Sequence, residues 1–198
     1  MQIKPTVVLL ALLTLSACSP RDFLTRRLAA DLIAASPAFR AQQQFRLQTG
    51  IVSNQSYLSP ENLVLEHHGW ISVTPTRCSP GLSPPPCWDV QLTPAGVDTI
   101  HSLVPAEQAD RSSLEFSVAR RELLEVTGIT KDGNEADVDF TWKWVPLNEV
   151  GAALYSADLR YTSTVGFRRY DDGWRIAPAV PHPAITLDDA LKNAEPIQ

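Results

Sequence analysis

Lys131–Trp144, KDGNEADVDFTWKW, is the stretch whose reading decides the architecture of this chain. Lys131-Asp132-Gly133-Asn134 is a turn signal, because glycine reaches positive φ without strain and Asp and Asn tolerate turn geometry. After it, Ala136, Val138, Phe140, Trp142 and Trp144 alternate with Asp137, Asp139, Thr141 and Lys143. A period of two places the aromatic set on one face of a long strand and the polar set on the other. Upstream, Leu114, Phe116 and Val118 alternate, and that strand is expected to continue through Leu123-Leu124-Glu125-Val126. Downstream, Pro146 opens a crossing over residues 146–157. Leu159, Tyr161, Ser163, Val165 and Phe167 then alternate with Arg160, Thr162, Thr164, Gly166 and Arg168. Asp171-Asp172-Gly173 turns the chain into Trp174-Arg175-Ile176, which makes the second half an antiparallel meander with one aromatic face.

That order, closing on RRYDDGWRI (Arg168–Ile176), resembles the sheet of cone-shaped nuclear-transport-factor-like domains over residues 114–178. The resemblance implies a helix layer ahead of the sheet, a conical cavity between the two, and a small-molecule binder or enzyme.

Working backward, Leu24, Leu28, Leu32 and Ile33 recur at helical spacing, and Pro37 closes that segment. Phe45, Leu47, Thr49 and Ile51 fit either an alternating strand or a helix interrupted at Gly50. Ser59-Pro60-Glu61-Asn62 starts a helix, with Ser59 as cap and Pro60 in the first turn. Gly69 suits its left-handed exit. Trp70–Thr74 and Trp88–Leu92 read as the two strands of a hairpin around a proline-rich loop, and Thr93-Pro94 begins a helix that Pro105 ends. LEHHGWISV followed by WDVQLTPAGVDTI resembles the helix, hairpin and closing helix of a winged-helix module over residues 59–104. In DNA-binding relatives of that shape a recognition helix and a basic wing touch DNA. Here Arg77 is the only base on the wing, so the shape is expected without the DNA.

The beginning of the chain carries a third resemblance. Lys4, the apolar run Val7–Leu13 and Leu15-Ser16-Ala17-Cys18 resemble a bacterial lipoprotein signal peptide with its lipobox. The apolar run is too short to span a bilayer, which takes about 20 residues, and fits a cleaved signal. The resemblance implies acylation of Cys18 and cleavage before it; two or more acyl chains hold a protein stably on a membrane. Ser19, rather than Asp, after the cysteine leans toward the outer membrane, facing the periplasm. With Cys18 taken by lipid, Cys78 and Cys87 remain, and an even remainder in an oxidising compartment implies a disulfide. Two cysteines without further ligands make a poor zinc site.

Charge and chemistry narrow the function. The chain carries a formal net charge of −5 and no dense Lys/Arg cluster, which argues against nucleic acid. His67 and His68 are adjacent on a helix, point about 100° apart, and lack the H-E-x-x-H spacing of a metal pair. His101 and His182 have no motif around them. Asp171 and Asp172 precede glycine in a hairpin, where Asp serves the turn. Asp137, Asp139, Arg160 and Arg168 are read as a cross-strand ionic ladder, and Phe140, Trp142 and Trp144 as core. No G-x-S-x-G elbow and no phosphate-cradling glycine loop occurs.

The reading is an α+β chain with N-terminal helices, a winged hairpin and a C-terminal antiparallel meander. Residues 1–17 form the signal, 18–27 the lipidated tether, 28–108 the helical and hairpin segment, 109–180 the sheet and 181–198 a tail. The expected role is non-catalytic, binding an envelope protein or small ligand at the membrane, with neither cofactor nor metal. The alternative is a cone-fold small-molecule binder or enzyme. The expected sites are Cys18 for lipidation, Cys78 and Cys87 for the disulfide, and Asp139, Trp142, Trp144 and Arg168 as candidate ligand-facing residues.

Overall fold

The structure, a computed structural model, describes residues 23–81, 85–109, 111–178 and 186–197. The expected signal, Cys18, the first part of its tether and His182 lie outside the described residues.

Helix α1 (Arg26–Ala35) is capped by Thr25, whose Oγ1 accepts the Leu28 N–H at 3.1 Å. Ser36 ends it and caps the short α2 (Pro37–Arg40), with Pro37 in the first turn, where its missing donor is not needed. The ambiguous segment that follows is strand, and it is divided between two sheets. Strand β1 (Gln43–Gln48) joins the large sheet and β2 (Gly50–Ser53) the small one. Gly50, at φ 82°, makes the change of direction, a backbone conformation that side-chain-bearing residues rarely adopt.

The hairpin segment follows the expected order. After α3 (Asn54–Tyr57), Ser59 caps α4 (Pro60–His67), and Gly69 leaves it at φ 70°. Strands β3 (Ile71–Thr76) and β4 (Cys87–Leu92) pair antiparallel, and β2 adds to the far side of β4, giving the order β2-β4-β3. Thr93 caps α5 (Pro94–His101).

The meander is built on β5 (Ser113–Asp132), 20 residues long, and β6 (Glu135–Pro146). After α6 (Glu149–Leu154) come β7 (Arg160–Tyr170) and β8 (Gly173–Ile176). The large sheet runs β1-β5-β6-β7-β8. Where a tail was expected, the chain forms α7 (Leu187–Lys192) and β9 (Glu195–Ile197), which pairs with β7. Leu187, Ala190 and Leu191 are buried, so this terminus belongs to the core.

The expected boundary at 108/109 cuts through hydrogen-bonded structure. Strand β1, from before it, pairs with β5 from Gln48↔Ser113 to Gln43↔Ala119. The chain instead builds two apolar cores that share β5. Leu114, Phe116 and Val118 enter one core, together with Leu47 of β1, Leu65, Val90 and Ile100 of the hairpin segment, and Val150 of α6. Ala119 and Val126 enter the other, with Ile33 and Phe39 of α1 and α2, Phe140 and Trp142 of β6, and Leu187 and Leu191 of α7. Val118 and Ala119 are adjacent and both buried, and adjacent strand residues point to opposite faces. The hairpin segment therefore covers one face of the sheet near the start of β5, and the helices α1, α2 and α7 cover the opposite face farther along.

Candidate functional site

The aromatic face of β6 is filled with side chains. Phe140 and Trp142 are almost fully buried, Trp142 at 1% exposure. Phe39 of α2 meets Phe140 edge-on at 6.5 Å, and Tyr161 stacks on Trp142 at 4.7 Å. Trp144 lies edge-on to Trp142 at 5.2 Å and beside Tyr155 at 5.3 Å. Trp142 Nε1 donates to Ser163 Oγ at 3.1 Å, and Ser163 Oγ donates to the Ala190 carbonyl of α7 at 2.9 Å. This chain satisfies the buried indole and hydroxyl, which would otherwise be costly to bury.

Arg121 is the residue the sequence reading did not single out. Register places it opposite Trp144 on the aromatic face. Its guanidinium lies 4.7 Å from the Trp144 ring and 5.6 Å from that of Trp142, and its Nη1 donates to the carbonyls of Ala38 (3.0 Å) and Ala41 (3.2 Å). Burial pulls its pKa below the ordinary arginine value, and burial likewise pushes the Tyr155 and Tyr161 hydroxyls up. The arrangement is a cation–π clamp that fastens the end of α2 to the sheet. The available signal was the adjacent pair Val118-Ala119, where the buried face of β5 changes and Arg121, rather than Arg120, turns inward.

The four candidate ligand-facing residues do not share a face. Trp142 and Trp144 point into the helix-covered core, while Asp139 and Arg168 lie on the polar face. The ladder there differs from the expected one because of register. Asp139 stands opposite Thr164, whose hydroxyl donates to Asp139 Oδ1 at 2.6 Å, and Asp137 stands opposite Gly166. Arg168 pairs with Glu135 at 3.1 Å, and Glu122 bridges Lys143 (3.6 Å) and Arg120 (3.5 Å). Arg160 stands opposite Lys143.

The hairpin carries the remaining features. Cys78 and Cys87 form a disulfide with Cα atoms 5.0 Å apart, stapling the proline-rich loop. Just inside it, Trp88 meets Tyr57 at 4.6 Å, with Trp88 Nε1 donating to Asn54 Oδ1 at 2.8 Å. The Tyr57 hydroxyl donates to Glu66 Oε2 at 2.9 Å, and that bond raises the tyrosine pKa. The hairpin is thereby tied to α3, and α3 to α4. Leu58 and Leu63 flank the Ser59 cap at the spacing of a hydrophobic staple, which brings such residues together. They remain 51% and 41% exposed. His68 stacks on Trp70 at 4.7 Å, and His67 lies edge-on to His68. Both histidines are thus placed as helix-end packing.

Among the open depressions on the surface of the described residues, three are well formed. One of about 480 Å³ is lined by Arg46, Arg111 and Glu115, one of about 380 Å³ by Asp98, Leu103 and Asn148, and one of about 280 Å³ by Thr162, Thr164 and Asn193. Among the described residues, no three His, Cys, Asp or Glu side chains gather as a metal site, and no helix is long and apolar enough to cross a membrane. No family model matches the chain, and neither a curated protein nor a solved structure does.

Proposed function

We propose that this protein is an envelope lipoprotein, acylated at Cys18, that works as a non-catalytic interaction module. The lipobox resemblance supports the anchor. The filled aromatic face supports the binding role: Phe39, Tyr161 and Arg121 lie against the rings of Phe140, Trp142 and Trp144, where a cone-fold ligand site needs open space. That leaves the outer surface to make the contact. The hairpin is stiffened by the Cys78–Cys87 bond and the Trp88–Tyr57 contact, and beside it Leu58, at the end of α3, and Leu63 of α4 are offered to a partner protein. A preorganised apolar surface of this kind limits the ordering cost of association.

The experiment is native mass spectrometry of the protein after export and gentle purification, for the wild type and for Leu58→Glu/Leu63→Glu. A protein adduct present in the wild type and lost in the double variant supports the module. A retained small molecule, unaffected by the double variant, overturns it in favour of a ligand-binding fold. Cys18→Ala should release the protein from the membrane; retention of a processed form there would sink the anchor.

A further inference from the structure

We infer that the membrane-facing surface is the start of α1, where Phe23, Arg26 and Arg27 meet phospholipid headgroups, and that the stapled hairpin is held on the far side. This rests on the acylation of Cys18 proposed above. The first observation is where the folded structure begins. Leu24 is 3% exposed and lies in the core with Ile33 and Trp174, so the chain is fixed to the domain from that residue onward. Only residues 19–23 separate it from Cys18, a leash of at most about 20 Å even when fully extended. A domain of this size has a diameter of roughly 40 Å, so the leash cannot bring its far side to the headgroups.

The second observation identifies what lies near and what lies far. Phe23 is 59% exposed, and Arg26 and Arg27 follow it on the surface. Arg26 Nη2 donates to the Thr127 carbonyl at 3.0 Å, so the later part of β5 shares this surface. The hairpin segment meets β5 at Leu114, Phe116 and Val118, and Thr127 lies roughly 25 Å farther along the strand once the two bulges between them are allowed for. Charge follows the same axis. Residues 50–104 carry Glu61, Glu66, Asp89 and Asp98 against Arg77 as the one Lys or Arg. An anionic lipid surface attracts Arg26 and Arg27 and repels that acidic end, within a Debye length of about 8 Å at physiological salt. Phe23 adds an apolar side chain that can enter the interface.

The test uses the full-length exported protein in its membrane, with a photoreactive benzophenone residue in place of Thr127 or, separately, of Leu63. Thr127 is remote from the lipid anchor in sequence, so it reports the surface and not the leash. Acylation of Cys18 is read by mass spectrometry on the same samples. With Cys18 acylated, at least about fivefold more phospholipid adduct is expected at 127 than at 63, and Arg27→Glu should lower the adduct at 127 by about twofold or more. Equal adduct at the two positions, or more at 63, overturns the orientation while leaving the anchor intact. An unacylated Cys18 overturns the anchor itself, and the orientation with it.

Discussion

A Cβ atom placed on Gly151 would stand 1.8 Å from the carbonyl oxygen of Val118. Gly151 thus lets α6 sit directly on the backbone of β5, at the residue pair where the buried face of that strand changes. Asn148 secures the same joint: its Nδ2 donates to the Ser117 carbonyl at 2.7 Å, and its Oδ1 accepts from Gly151 N at 2.9 Å. Val150, fully buried, carries α6 into the hairpin-side core. Gly151→Ala should therefore cost about 1–3 kcal/mol, because backbone must move to admit the methyl. At Gly128 the new methyl would meet only the Asp139 carboxylate, at 2.9 Å, and a side chain can swing aside. Chemical denaturation should rank Gly151→Ala as the more damaging of the two; the reverse order would refute the close joint.

Trp142→Ala should cost about 3–5 kcal/mol, in the range of other buried aromatic truncations. It removes a ring that Tyr161 stacks on, and it leaves Ser163 without the indole donor. Denaturant unfolding checks the figure. A change below about 1 kcal/mol, the range of surface substitutions, would mean that the ring is not core.

Arg121→Lys should cost about 1–3 kcal/mol although it keeps the charge. A lysine ammonium has no planar face to lie over Trp144, and its shorter side chain does not place a nitrogen where the arginine Nη1 donates to both Ala38 and Ala41. Amide hydrogen exchange in α2 should rise along with the loss of stability. Unchanged protection there would place the clamp elsewhere.

The parts of this fold that were legible from the residues are those decided locally. The 136–144 alternation, the glycine turns at 133 and 173, and the Ser59-Pro60 and Thr93-Pro94 helix starts each state their geometry within a few positions. The parts that were not legible depend on partners distant in the chain. Whether Phe45–Ile51 was strand could not be decided until β5 and β4 stood on either side of Gly50. The end of the chain looked like a tail, yet Thr186 and Asp189 form a capping box and Leu187 and Leu191 fill the core. The polar ladder was anticipated by face and missed by register, because β6 and β7 align Asp139 with Thr164 and not with an arginine. For the aromatic face, alternation alone fixes only that the rings share a side. What covers that side is decided by α1, α2 and α7.

Replacing Cys78 and Cys87 together by alanine should cost about 2–3 kcal/mol, the loop-entropy figure for so short a closed loop. The sequence separation is nine residues. Because Trp88, beside the bond, also holds Tyr57 and Asn54, the loss should fall mainly on the hairpin. Proteolytic nicking between 78 and 87, under conditions where the wild type resists, is the expected readout. Equal resistance would show that the aromatic contact alone keeps the loop in place.

Acid should loosen α7 through Asp189. Its carboxylate accepts from the Thr186 hydroxyl at 2.6 Å and from the Thr186 N–H at 3.3 Å, and these bonds hold its pKa below the ordinary aspartate value. A depressed folded-state pKa means that the unfolded chain takes up the proton first as pH falls. The contribution of Asp189 is therefore complete above the unfolded pKa and is lost progressively as pH drops through it toward the lower folded value. Asp189→Asn removes that titration, so the variant should be less stable than the wild type near neutral pH and the gap should narrow below about pH 4. Denaturation midpoints of both proteins between about pH 6 and pH 3 provide the check. A gap that stays constant through this range would show that the carboxylate does not cap the helix in its charged form.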